Sequence, residues 1–309
     1  MLGPPYTSER IDLPSDEEGE VVATLVKRAA EVPADRAVLH VHGFCDYFFQ
    51  TEYAEWWNAR GYDFYAVDLR KYGRSLLPHQ TPNYVADLSD HFAEFDEVWQ
   101  RITERDEHHR VVISAHSTGG LTAPLWADAR QPAELAGLFL NSPWLDLQGS
   151  AAARLLLSPV VTQIGRFKPS VTLPRGVDGL YGRALHKDHG GEFDFNLDWK
   201  PLDSFPVALG WLRAVRSGHA RLQRGLNVSA PVLVMASDRS TRATPHSEDL
   251  YSSDVVLDVK QIRRWATAVG PQVGFVTIPG GIHDLILSPE PARSKVYAEL
   301  ERWLAAYVE

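Results

Sequence analysis

A serine at position 117 has neighbours that favour nucleophilic catalysis. It follows the strand-like run Arg110–Ser114 and lies in the turn Ala115–Gly120, which reads AHSTGG. A serine on a sharp turn between a strand and a helix projects its hydroxyl above the sheet, and small neighbours let the backbone reverse there. Ala115 stands where glycine is usual, but it keeps the side-chain bulk low. We therefore predict that Ser117 is a nucleophile.

A serine hydroxyl needs a base that accepts its proton, and His283 is the best placed of the twelve histidines. It follows the run Val273–Ile278 and a glycine pair near the end of the chain. A nucleophilic serine, an acid and then a histidine form a known catalytic order along a chain. His116 is closer to Ser117 in sequence, but adjacent side chains in a tight turn diverge. We predict that His283 is the general base and that His116 packs beside the site.

An oxyanion formed on a substrate carbonyl needs hydrogen-bond donors that are already in place, and backbone amides supply them. The tripeptide at 42–44, His-Gly-Phe, directly follows the strand-like run Ala37–Val41. Its last amide can point to the same oxygen as the amide that follows Ser117. We predict an oxyanion hole made by the backbone N–H groups of Phe44 and Thr118.

The elements that would position these residues alternate between short β-branched runs and helical patterns, which is typical of a parallel sheet wrapped by helices. Apolar residues from Val85 to Ile102 recur at three- and four-residue steps and predict a helix packed on the sheet. Near the N-terminus, Glu9–Leu13 and Glu20–Val26 flank an acidic turn and predict a hairpin. The strand-like runs are Ala37–Val41, Asp63–Asp68, Arg110–Ser114, Leu135–Leu140, Pro231–Ala236 and Val273–Ile278.

The alternation stops between Gln148 and Asn227, which predicts an insertion in an α/β core. We expect a core domain over 1–147 and 228–309 and a helical, loop-rich cap over 148–227, above the strand ends where such sheets bind ligands. The aromatic and leucine side chains of this segment either pack the cap against the core domain or contact a substrate. They are Leu155–Leu157, Phe193, Phe195, Trp199, Phe205 and Trp211.

Composition narrows the class of protein. The chain has 309 residues, of which 44% are hydrophobic and 23% charged, as in ordinary globular proteins. A formal charge of −9 argues against a nucleic-acid partner, since phosphate binding needs an excess of Lys and Arg. Cys45 is the only cysteine, so no intrachain disulfide can form. No secretory signal or apolar run of membrane-spanning length is present, so we expect a cytoplasmic protein without stable membrane insertion.

The motifs together resemble the α/β-hydrolase superfamily, and within it the branch of monoacylglycerol lipases, lysophospholipases and serine aminopeptidase-like hydrolases. The segments HGF at 42–44, DLRKYGRS at 68–75, AHSTGG at 115–120, PVLVM at 231–235 and GGIH at 280–283 occur in that branch's order. The resemblance covers nearly the whole chain and implies the α/β-hydrolase fold with a Ser-acid-His triad. It does not define the substrate, because one triad serves esters, lipids, amides and lactones.

Two aspartates compete for the role of the triad acid. Asp238 comes just after the run Pro231–Ala236, where related proteins usually place the acid. Asp254 lies beyond a polar insertion, but the residues after it resemble the family's continuation into a helix, and 29 positions separate it from His283, against 45 for Asp238. We predict Asp254, with Asp238 as the alternative. The acid's task would be to fix the imidazole tautomer and stabilise the imidazolium.

Other polar residues near these motifs receive structural interpretations. We expect Asp68 and Arg70 to pair near the carboxyl edge of the sheet, and Asp284 to be a solvated loop residue. His40 and His42 share one face of a strand and raise the alternative of a metallohydrolase, but no further ligands stand at matching strand ends. We therefore expect no metal and no cofactor.

The function that the sequence favours is hydrolysis of a carboxylic ester through an acyl-enzyme intermediate. The aromatic cap suggests an apolar, small-molecule substrate such as a monoacylglycerol or a short- to medium-chain acyl ester. The alternatives are a lysophospholipase, an aminopeptidase-like amide hydrolase, and a non-catalytic binding protein on the same fold. The sequence does not indicate an oligomeric state.

Overall fold

The computed structural model describes residues 2–33, 35–148, 163–173, 179–242 and 244–308. Their strands are β1 (Thr7–Asp16), β2 (Gly19–Arg28), β3 (Arg36–Val41), β4 (Asp63–Asp68), β5 (Arg110–His116), β6 (Leu135–Asn141), β7 (Val232–Ser237) and β8 (Val273–Ile278). They form one sheet in the order β1-β2-β4-β3-β5-β6-β7-β8. The pairs β1–β2 and β2–β4 are antiparallel, and the remaining neighbours are parallel. The predicted hairpin and the predicted α/β class are both confirmed.

Helices cover both faces of this sheet. They are α1 (Thr51–Asn58), α2 (Phe92–Gln100), α3 (Gly119–Arg130), α4 (Leu180–Leu185), α5 (Leu209–Leu222), α6 (Val259–Trp265) and α7 (Ala292–Trp303). One face buries Phe95 and Trp126 against the strands, and the opposite face buries Trp57 and Phe64. Such large aromatic side chains bring most of the apolar area into the core. In the described ranges, no helix is both long and apolar enough to span a bilayer.

The helix predicted from the apolar pattern between Val85 and Ile102 starts later than the pattern does, and a π-helical turn at Arg101–Arg105 continues it past Ile102. Asp87 accepts a hydrogen bond from the Ser89 amide, and Asp90 accepts one from the Asp87 amide. This reciprocal cap starts a 3-10 turn at Leu88, and α2 follows it. Val85 therefore lies before the helix, although its side chain is still buried in the core.

The 148–227 segment is helical and irregular where it is described. It contributes α4, α5 and two isolated bridges, and no strand occurs in 163–173 or 179–227. At Gly218, α5 packs closely on α3 and on the 3-10 turn before α2: a β-carbon there would lie 2.7 Å from Leu88 Cδ1 in the turn and 3.2 Å from Leu125 Cδ1 in α3. The predicted contribution of Leu155–Leu157 lies outside the described residues.

Candidate active site

Ser117 lies on a strained turn between β5 and α3. Its φ of 52° is in the left-handed region, which costs a residue other than glycine about 1–3 kcal/mol. Two backbone hydrogen bonds hold this conformation: the Ser117 amide donates to the Asn141 carbonyl at 3.1 Å, and the Trp144 amide donates to the Ser117 carbonyl at 2.9 Å. The turn is therefore fixed by the end of the adjacent strand, β6.

Two glycines allow the loop after β3 to approach this turn. A β-carbon on Gly119 would lie 2.4 Å from the His42 carbonyl oxygen, and one on Gly43 would lie 2.9 Å from Ser117 Cβ. Real β-carbons essentially never approach other atoms so closely. The small residues of both motifs thus bring the two loops into contact.

The predicted nucleophile, base and acid lie together at the carboxyl edge of the sheet. His283 Nε2 is 3.1 Å from Ser117 Oγ, and His283 Nδ1 is 3.0 Å from Asp254 Oδ2. All three side chains are almost fully buried. A tautomer with the proton on Nδ1 donates to Asp254 and leaves Nε2 free to accept the serine proton.

The two candidate acids have different surroundings. Asp238 does not contact His283; its Oδ1 accepts a hydrogen bond from the Gly280 amide at 3.0 Å. Asp238 thus supports the glycine loop that precedes His283. Asp254 is fully buried, and its Oδ1 accepts the amides of Val256 at 2.8 Å and Leu257 at 2.7 Å, which leaves Oδ2 for the histidine.

The polar insertion between these aspartates braces Asp254. The Asp254 amide donates to the Arg239 carbonyl at 3.0 Å, and the Thr241 amide donates to the Asp254 carbonyl at 3.2 Å. Ser240 and Asp254 form an isolated parallel bridge. The insertion leaves the sheet after β7 and folds back along the acid, which explains why the acid can follow the strand at such a distance.

The predicted oxyanion donors flank the serine. The Thr118 amide is at the first turn of α3, where the helix dipole favours a negative charge. The Phe44 amide follows Gly43, on which a β-carbon would lie only 3.5 Å from Ser117 Oγ. Within the described ranges, neither amide has a hydrogen-bond acceptor. Both N–H groups are available to an oxygen at Ser117.

Aromatic side chains from the 148–227 segment lie over the site. The rings of Trp211 on α5 and Phe44 are 4.3 Å apart, and the ring of Tyr181 on α4 is 5.9 Å from that of His283. Ser117 is only 7% exposed beneath them. These rings therefore lie close to both Ser117 and His283.

A buried polar cluster lies beside the histidine. Asp46, His116 and Asp284 bring one potential ligand atom each within 4.8 Å of one another. The Lys200 ammonium, from the 148–227 segment, is 2.7 Å from Asp46 Oδ1. Burial alone would raise the pKa of Asp46, but this ammonium keeps it below its usual value. Lys200 therefore places a positive charge directly beside Asp46.

Two structural expectations are wrong. Asp284 is 2% exposed instead of solvated, because the Asn141 side chain donates to it at 2.6 Å in the interior. Asp68 and Arg70 do not pair with each other. Asp68 accepts from Arg74 at 2.7 Å, while Arg70 binds Glu94, because the chain turns between the two and sends their side chains to different partners.

His40 and His42 do not form a metal site with each other. Both ring nitrogens of His42 are used, since Nε2 accepts the Leu69 amide and Nδ1 donates to the Gly43 carbonyl. His40 is buried among aromatic rings, and neither of its nitrogens has a partner within the described residues. Burial lowers the pKa of His40 to about 4, so its ring is neutral at physiological pH.

Sequence comparison identifies the family. A family model described as serine aminopeptidase, S33, matches residues 32–290. The chain belongs to this S33 serine aminopeptidase family. It is therefore an α/β-hydrolase, as the sequence motifs predict. A search of curated proteins finds no match by sequence.

Solved structures similar to this S33 family member include lipases and esterases. A soluble variant of monoglyceride lipase from Saccharomyces cerevisiae, bound to a substrate analog, is 16% identical with a TM-score of 0.70, and 97% of each chain is covered. The monoacylglycerol lipase of Paleococcus ferrophilus is 18% identical with a TM-score of 0.66, covering 92% of this chain and 98% of that one. A thermostable carboxyl esterase from Bacillus coagulans, in complex with glycerol, is 15% identical with a TM-score of 0.65, covering 98% and 99%. At these identities the likeness concerns the fold.

Sequence reasoning missed several residues around the site of this S33 family member. Asn141 and Tyr181 are bonded to Asp284 in the loop of His283, and Lys200 is bonded to Asp46 in the segment after β3; none of the three belongs to a recognised motif. One sequence feature could have indicated that Asn141 lies at the site: it directly follows a predicted strand, at the same edge of the sheet as Ser117. Tyr181 and Lys200 come from an irregular segment, where no periodicity indicates which side chains point to the core.

Proposed function

We propose that this protein is a serine hydrolase that cleaves carboxylic esters, with Ser117 as nucleophile, His283 as general base and Asp254 as triad acid. The observation that carries the proposal is the continuous hydrogen-bond chain from Ser117 Oγ through His283 to Asp254, at 3.1 and 3.0 Å. Its membership of a hydrolase family and its lipase-like fold support the same class of reaction.

The proposed reaction has two halves. Ser117 Oγ attacks the ester carbonyl as His283 Nε2 takes its proton, and the carbonyl oxygen becomes an oxyanion held by the Phe44 and Thr118 amides. The intermediate collapses, and His283 returns the proton to the departing alcohol. Water then attacks the acyl-serine with its proton going to His283, which passes it to Ser117 as the carboxylic acid leaves. Asp254 stabilises the imidazolium in both halves.

The substrate class follows from the cover over the site. We propose that 148–227 acts as a cap on a core formed by 1–147 and 228–309, and that its aromatic side chains surround an apolar acyl chain. A monoacylglycerol-like or short- to medium-chain ester fits this interpretation. The monoglyceride lipase names of two structural neighbours agree with it. A lysophospholipase or an amide-cleaving aminopeptidase is the alternative.

The test is a panel of p-nitrophenyl esters of increasing acyl length, assayed with the wild type and Ser117→Ala. We expect wild-type turnover and a loss on the order of 10⁶ in kcat for the variant. Ser142→Ala is a matched control, because Ser142 is a buried serine near the site whose hydroxyl has no partner in the described part of the chain. Wild-type rates in Ser117→Ala would refute the proposal.

A further inference from the structure

Asn141, the last residue of β6, is bonded to both halves of the candidate site. Its carbonyl oxygen accepts the Ser117 amide at 3.1 Å and lies 3.1 Å from His116 Nδ1. Its side chain donates from Nδ2 to Asp284 Oδ1 at 2.6 Å and accepts the Leu285 amide at Oδ1, at 3.1 Å. Asp284 and Leu285 directly follow His283. Within the described ranges, no other residue has hydrogen bonds to both Ser117's backbone and this loop.

The backbone of Asn141 is held firmly enough to serve as a reference point. It pairs with His116 of β5 on one side and with Met235 of β7 on the other, in the middle of the sheet. The side chain is 2% exposed, as is that of Asp284. Both bonds that the amide makes to the histidine loop are therefore shielded from bulk solvent.

We infer that Asn141 is a positioning residue that sets the distance between Ser117 Oγ and His283 Nε2. It binds the nucleophile through its backbone and the histidine loop through its side chain, so one rigid residue spans the two catalytic groups. The inference rests on the proposed function of Ser117 and His283. Proton transfer in such a pair is sensitive to placement, and a displacement of about 1 Å can cost about 10² in rate.

The contact between Asn141 and Asp284 requires a hydrogen-bond donor facing the carboxylate, and the side-chain amide of Asn141 supplies it. Asp284 Oδ2 is buried without a partner in the described residues, so the Asn141 Nδ2–H group is the side-chain donor to this carboxylate. Asn141→Asp would place a second carboxyl there, and two facing carboxyls must share a proton to avoid repulsion. The shared proton restores the donor at low pH and is lost at high pH. The double variant Asn141→Asp/Asp284→Asn reverses the pair and keeps every hydrogen bond.

The experiment measures kcat and KM with one activated ester between about pH 6 and 9. Asn141→Ala should lower kcat about 10- to 100-fold with KM changed less than about threefold. Asn141→Asp should lose more activity, relative to wild type, as the pH rises. Asp284→Asn alone should remain within about threefold of wild type, since its amide can still accept the Asn141 bond. The reversed pair should recover about tenfold over Asn141→Asp at pH 9.

A second measurement needs no substrate. The proton between His283 Nδ1 and Asp254 should give a downfield NMR resonance in the folded protein, and Asn141→Ala should shift or broaden it while Asp284→Asn keeps it. Absence of wild-type ester turnover would refute the proposed function, and this resonance would still decide the positioning role. An unchanged resonance in Asn141→Ala, unchanged kcat in that variant, or equal rates for Asn141→Asp and the reversed pair would overturn the inference.

Discussion

The carboxyl edge of the sheet and the 148–227 segment above it are built in different ways. At the edge, backbone hydrogen bonds fix both residues: Ser117 is bonded to the end of β6, and Asp254 to the polar insertion after β7. The segment above is held mainly by side chains, through the Trp211–Phe44 ring contact and the Lys200–Asp46 ion pair. Backbone hydrogen bonds allow few alternative arrangements of the chain, whereas a single substitution can remove or change a side-chain contact. If the proposed function is correct, we expect substitutions at the edge to change the reaction rate and substitutions in the segment to change the choice of substrate.

After Ser117→Ala, the largest loss of activity is expected from the acid at the edge. Asp254→Asn should lose about 10⁴ in kcat, the size known for this change in the serine protease triad. Because Asp254 Oδ1 already accepts two backbone amides, the new NH₂ group must face His283 Nδ1 and favour the wrong tautomer. Side-by-side kinetics and thermal unfolding check this, with Asp238→Asn as the matched control. An inactive Asp238→Asn with an active Asp254→Asn would reverse the assignment of the acid.

The attachment of the segment should show in stability. Lys200→Met leaves the 3%-exposed Asp46 carboxylate without its cation, and breaking a buried pair from one side typically costs about 3–5 kcal/mol. Adding Asp46→Asn should recover most of that loss. Urea unfolding of the two variants measures both values. If Lys200→Met alone is as stable as wild type, the ion pair does not anchor the segment.

The buried histidine beneath the edge should make the protein acid-sensitive. The pKa of His40 is lowered to about 4 by burial, so between its ordinary value and 4 the unfolded chain binds more protons than the folded one. Stability is therefore lost as the pH falls, by about 2 kcal/mol from pH 7 to 5. His40→Leu should lose correspondingly less over this range in urea unfolding. The control is His189→Gln, an exposed histidine of the segment; equal pH dependence in both variants would contradict this prediction.

The smallest effect tests the segment's role in selection. Trp211→Ser should change the ratio of kcat/KM between a long-chain and an acetate ester by about tenfold, since one apolar contact is worth about 1–3 kcal/mol. Trp211→Phe should change the ratio less. Trp265→Ser removes a half-buried tryptophan of the core as a control for general destabilisation. The same loss for every ester would show that Trp211 only stabilises the fold.

The parts of the molecule predictable from sequence are those with local signals. Strand-like runs matched the strands within about two residues because β-branched patterns and glycine turns are local properties. Ser117 and His283 could be located in the same way, since each follows a strand and a motif of small residues. Asp254 needed spacing as well, because a polar insertion separates it from β7.

The remaining parts depend on contacts between distant positions. Asp284 has the sequence context of a solvated loop residue, and only its bond to Asn141, in another strand, explains its burial. Asp68 and Arg70 pair with Arg74 and Glu94 instead of each other, which the pattern of neighbouring charges does not reveal. Polar side chains in a core are satisfied by tertiary geometry, so their partners cannot be assigned without it.

The most direct test of the central claim is covalent labelling of the nucleophile. The folded protein is treated with a fluorophosphonate, and its intact mass and peptide map are recorded for wild type, Ser117→Ala and Ser142→Ala. An activated serine attacks the phosphorus and displaces fluoride, and the adduct resembles the tetrahedral intermediate held by the oxyanion donors. We predict one adduct on Ser117 in wild type and Ser142→Ala, and none in Ser117→Ala. An unlabelled wild type, or an adduct that persists in Ser117→Ala, would contradict the proposed mechanism.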